Sequence, residues 1–68
     1  MTPRPYQQRV IDEKADLGEK IGELSDFINT NQTFMTLPKD ERARMHIQLA
    51  AMRVYHQALD ERIQAFSD

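Results

Sequence analysis

Val10, Leu17 and Leu24 stand seven residues apart, and Lys14, Ile21 and Ile28 repeat at the same interval, offset by four. Positions that alternate at four and three residues return to one face of an α-helix, so this stretch predicts an amphipathic helix over about 4–29. Ile11 and Phe27 widen its apolar stripe, and Lys14 is its one polar member. Pro3 and Pro5 stand at the start, where a missing backbone N–H costs nothing because the first turn has no helical acceptor for it.

The polar run Asn29-Thr30-Asn31-Gln32-Thr33 breaks the period. Such side chains compete with the backbone for hydrogen bonds and favour turns. It predicts a loop over about 30–36, with Phe34, Met35 and Leu37 folding back over the end of the structure. Pro38 opens a second periodic stretch over about 37–66, and Asp40 and Glu41 follow where the helix dipole favours anions. Met45, Met52, Leu59 and Phe66 are seven apart, with Leu49, His56 and Ile63 in the alternate positions. A short connection sets the two helices antiparallel. The predicted register places Leu24 opposite Leu49, Ile21 opposite Met52, and Lys14 close to His56.

The expected fold class is all-α: an antiparallel two-helix hairpin, one domain over residues 1–68. Each helix of about 25 residues spans about 38 Å, and two of them make a rod with no enclosed core. Short chains bury little surface and need a staple. The chain has no Cys, and its two His form no metal cluster, so neither a disulfide nor a structural metal is expected. Assembly into a helical homo-oligomer is the remaining device. Two surfaces fit that role: Ile47, Ala51, Val54 and Ala58 on the second helix, and Ala15, Gly18, Gly22 and Ser25 on the first. Mid-helix glycine costs about 1 kcal/mol against alanine, which points to close approach by another backbone.

Charge and motifs remove several functions. Nine Lys and Arg against eleven Asp and Glu give a net charge of −2, the wrong balance for a general nucleic-acid binder. On the second helix Arg42, Arg44, Arg53 and Arg62 are offset by Asp40, Glu41, Asp60 and Glu61, so no basic recognition helix stands out. No window approaches the ~18 apolar residues of a membrane span. The start, Met1 to Tyr6, has no apolar leader, and with no Cys the chain is expected in the cytosol. No GxSxG, HExxH or phosphate-cradling glycine loop is present, and Gly18 and Gly22 fall mid-helix. No catalytic residue and no cofactor is expected.

Binding remains. Tyr6, Gln7, Arg9 and Lys14 cluster in the first half of the first helix, and Arg53, Tyr55, His56 and Arg62 lie late in the second. Antiparallel packing brings both groups to one end of the rod, with aromatic faces for stacking and guanidinium forks for phosphate. Each also has a plain structural reading. Tyr55 is expected partly in the core, Arg9 and Arg62 paired with Asp12, Glu13 or Glu61, and His56 hydrogen-bonded on the apolar stripe.

The pattern Tyr6-x-x-Arg9-Val10-x-x-Glu13-Lys14-x-x-Leu17-x-x-Lys20-Ile21-x-x-Leu24-x-x-Phe27-Ile28, followed by Phe34-x-x-Leu37, Glu41, Gln48 and Met52-x-x-Tyr55-x-x-x-Leu59-x-x-Arg62-Ile63, covers nearly the whole chain. It resembles the hairpin domain of phage anti-CBASS and Thoeris-anti-defence proteins, a domain also seen in small crAss-like-phage-related proteins. The resemblance implies a sponge. Such proteins bind cyclic oligonucleotide or cyclic ADP-ribose messengers of bacterial immunity and hold them without cleavage. It implies a hexamer of interlocked dimers with ligands between protomers, in the cytoplasm of the infected host. It further implies that Tyr6, followed by the amide of Gln7, is the base-stacking position; Arg9 and Arg62 are then expected to contact phosphates across an interface. Thr33 stands for the family's loop threonine, and Lys20 or Lys39 for its loop lysine.

Two other readings compete. One is a structural or adaptor hairpin that binds a host or phage protein through Ile47, Ala51, Val54 and Ala58. The other is a small regulator that blocks a protein target directly.

Overall fold

The structure is a computed structural model and describes residues 2–66. It is all-α, with three helices: α1 (Pro5–Thr30), α2 (Gln32–Thr36) and α3 (Lys39–Gln64). The two long helices pack along their length and run antiparallel. Tyr6 meets Phe66 at one end, Lys14 meets Asp60 further along, and Phe34 meets His46 at the other end.

The helix limits follow from local chemistry. Pro5 sits in the first turn of α1, and Gln7 Oε1 accepts the backbone N–H of Arg4 at 2.9 Å, which satisfies one of the donors left over at a helix start. At the other end one residue serves two helices. The Asn31 N–H donates to the Phe27 carbonyl at 3.2 Å, while its Oδ1 accepts the Thr33 N–H at 2.8 Å. Asn31 thus ends α1 and caps α2. The expected loop over 30–36 is therefore mostly helical. A turn-favouring side chain stopped one helix and, by capping, started another. Leu37 is extended, as the residue before a proline must be, and Pro38 precedes α3.

Val10, Leu17 and Leu59 form the buried centre, with Ile21, Met52, Ile63 and Phe66 packed against it. Leu59 is the most enclosed side chain, 1% exposed. A second small cluster closes the turn. Phe34 is buried between Phe27 and His46 in two edge-to-face contacts, with ring centroids 6.1 Å and 5.7 Å apart. Leu37 is half-buried, but Met35 remains 67% exposed, so the expected fold-back holds for Phe34 and Leu37 only.

The molecule is elongated, 50 × 16 × 14 Å. Its radius of gyration is 15.4 Å, against about 11 Å for a compact domain of this length. Its accessible surface is 5215 Å², where a compact monomer of this mass shows about 4,450 Å². The excess is apolar in part. Ile47 and Val54 are each 68% exposed, and Ala51 and Ala58 beside them are exposed too.

Candidate functional site

The line where α1 meets α3 divides the surface into two flanks, each with a shallow groove. One groove, of about 430 Å³, is lined by Arg9, Asp12, Glu13, Asp16, Leu17 and Lys20 of α1 and by Tyr55 of α3. The other, of about 490 Å³, is chiefly apolar and is lined by Ile11, Lys14, Ala15, Gly18, His56 and Ile63. Neither is an enclosed cavity.

The residues expected to gather at one end are sorted by this division. Tyr6 is half exposed, and the edge contact with Phe66, at 5.8 Å and 78°, fixes its ring. Gln7 is buried, its carbonyl already bonded to Arg4 and its Nε2 3.5 Å from the Tyr6 hydroxyl. It sits behind Tyr6 rather than beside it. Arg9 and Arg62 are exposed. Neither makes an ion pair with a carboxylate among the described residues, so the expected pairings with Asp12, Glu13 or Glu61 are absent there. Thr33 lies in α2 at the opposite end of the molecule, its N–H held by Asn31 and its carbonyl accepting the Thr36 hydroxyl. No single protomer brings Thr33 to Tyr6.

Lys14 parts from the others. It stands on the apolar flank, where its Nζ pairs with Asp60 Oδ1 at 2.6 Å, with both side chains partly exposed. Asp60 Oδ2 accepts from Gln64 Nε2 at 2.7 Å. The hydrogen bond from Lys14, chiefly, holds the Asp60 carboxyl below the usual carboxylate range; partial desolvation opposes it, and the nearby positive charge and Gln64 assist. Lys14 and His56 line the same groove, as the predicted register has them, but the ion-pair partner of Lys14 is Asp60, one turn further along α3, and His56 lies over Gly18.

Tyr55 corrects another expectation. It is 45% exposed rather than partly in the core, and its position in the first groove places it with Arg9 and Lys20. Seven residues separate Tyr55 from Arg62, two turns on the same side of α3. That spacing was visible in the sequence; what it lacked was the α1 partner, since Lys20 was considered only as a loop lysine.

Among the described residues no group of three or more His, Cys, Asp or Glu can hold a metal ion, and no helix is long and apolar enough to cross a membrane. A comparison with protein-family models matches residues 4–65 to the family described as Sequestin. The chain belongs to the Sequestin family. The match spans both long helices and the turn between them. The family's name marks a sponge-type function, the sequestration of signalling molecules. No curated protein and no solved structure matches the chain.

Proposed function

We propose that this Sequestin holds cyclic oligonucleotide or cyclic ADP-ribose immune messengers between copies of itself, inside the cytoplasm of an infected bacterium. The shape carries this reading. A ligand pocket buries most of its ligand, and the two grooves described above are open, while the Ile47/Val54 face of α3 is exposed. Pairing copies through that face, in a homo-oligomer such as the hexamer the resemblance implies, removes apolar area from water and roofs the grooves.

Tyr6 supplies a stacking face at such a junction, and Gln7 holds it from behind. Arg9 and Arg62, free of carboxylates among the described residues, supply charge-assisted contacts to phosphate. Thr33 joins them from the α2 end of a neighbouring copy. Sequestration needs protein in excess of messenger and tight binding, and it needs no reacting group.

Titration calorimetry with a panel of cyclic di- and trinucleotides and cyclic ADP-ribose isomers tests the reading, with light scattering on the same samples. Heat with at least one messenger and a mass of several protomers are expected. A silent panel would leave the exposed Ile47/Val54 face to a protein partner and overturn the messenger reading. A stable 8.0 kDa monomer would overturn assembly.

A further inference from the structure

We infer that Tyr55, in a groove that Arg9 and Lys20 line from its two ends, forms a second nucleobase platform, and that its groove selects purines carrying an amino group. The inference rests on the messenger-binding reading above and names a site within it.

Two tyrosines are present in the chain, and they differ in what their rings already touch. Tyr6 has an aromatic partner in Phe66 and a hydroxyl neighbour in Gln7. Tyr55 is as exposed as Tyr6 but has no aromatic partner among the described residues. An exposed ring with a free face, set in a groove with a cation at each end, can stack a base and draw its phosphates to those ends.

The groove's charges are ordered. Along α1 its lining reads Arg9, then Asp12 and Glu13, then Asp16, then Lys20. Three carboxylates lie between two cations. Phosphate is repelled from the middle and drawn to the two ends. The middle accepts hydrogen bonds and donates none, because an ionised carboxylate is an acceptor only. Asp12 is already occupied by Gln8 Nε2 at 2.9 Å. Glu13 and Asp16 have no hydrogen bond or ion pair among the described residues. They are the free acceptors beside Tyr55. Guanine and adenine present amino donors and a two-ring face to such a site. Uracil presents one N–H between two carbonyl oxygens, which the carboxylates repel, and a smaller face.

The test is calorimetric titration of the full chain with cyclic di-GMP, cyclic di-AMP and cyclic di-UMP, for the unaltered protein, Tyr55→Ala, Tyr55→Phe, Tyr6→Ala and Glu13→Gln/Asp16→Asn. At least one purine dinucleotide should bind tenfold or more tighter than cyclic di-UMP. Tyr55→Ala should weaken it about 5- to 150-fold, the range of one base stack, and Tyr55→Phe should keep most of the affinity. Glu13→Gln/Asp16→Asn should narrow the purine preference. Circular dichroism of each variant checks that helix content is unchanged, as expected for exposed positions. If the unaltered protein binds a dinucleotide and Tyr55→Ala binds it equally well, the platform is not at Tyr55, while messenger binding stands. Preference for cyclic di-UMP overturns the purine selection. If none of the three dinucleotides binds the unaltered protein, the purine site falls, and the messenger reading then stands or falls on the wider panel.

Discussion

A β-carbon added at Gly18 would stand 3.5 Å from Nε2 of His56, an ordinary van der Waals contact, whereas one added at Gly22 would meet nothing within 4 Å. The two glycines therefore play different parts. Gly18 leaves room for an imidazole from the opposite helix. Gly22 leaves room for nothing inside the protomer. Alanine at either position should raise stability by about 0.5–1 kcal/mol, because the helix loses less backbone entropy. Gly18→Leu should instead lower it by displacing His56. Gly22→Leu should leave an isolated protomer folded and lower the assembled mass, if that open face packs against a second copy. Denaturant melts at several protein concentrations separate the two effects. Equal behaviour of both leucine variants would contradict the distinction.

Lys14 and Asp60 make stability sensitive to acid. The folded carboxyl titrates below its unfolded value of about 3.9. A depressed carboxyl stabilises the fold at pH values above that unfolded value, and the contribution is lost as pH falls through the folded value. The melting temperature should therefore drop on acidification below about pH 4. Asp60→Asn should show a flatter profile over that window. An identical acid limb in the variant would remove the pair from the cause.

Leu59→Ala tests the core. The side chain is the most enclosed in the molecule and touches the Val10/Leu17 centre. Its truncation should cost about 2–5 kcal/mol. That equals the whole stability a core of this size supplies, so the variant should be largely unfolded by circular dichroism at room temperature. A cooperative melt close to that of the parent would show that the core lies elsewhere.

The exposed face of α3 should behave as an interface. Val54→Asp places a charge where a neighbour's apolar surface would lie, at a position that is two-thirds exposed in the protomer. Scattering should report a fall to smaller species, and the melting temperature should be lower and less dependent on protein concentration than the parent's. An unchanged mass would take Val54 out of the assembly contact.

Much of this architecture was readable in the sequence, for identifiable reasons. The heptad spacing of Val10, Leu17 and Leu24 against Met52 and Leu59 gave both long helices, because burial on one face imposes that period. The turn was misread because Asn31 carries two signals at once. It ends α1 and caps α2, and propensity registers only the break. The register of apolar layers places Lys14 near His56 but does not name its ion-pair partner, because apolar spacing is blind to a carboxylate at Asp60 one turn beyond His56. The binding cluster was seen as one end of a rod, since periodicity assigns residues to an end more easily than to a flank. Periodicity therefore puts Lys14 with Arg9, whereas the flanks put Lys14 with His56 and Lys20 with Tyr55.

The placement of the two tyrosines has a practical consequence. The chain has no tryptophan, so Tyr6 and Tyr55 are its intrinsic emitters, and both are about half open to solvent, on the two surfaces proposed above for a messenger. The molecule therefore carries its own optical label at each place. In a Tyr6→Phe chain the remaining emission comes from the Tyr55 groove alone, and in Tyr55→Phe from the Tyr6 end alone. Quenching of one signal and not the other, as nucleotide is added, would reveal which surface fills first.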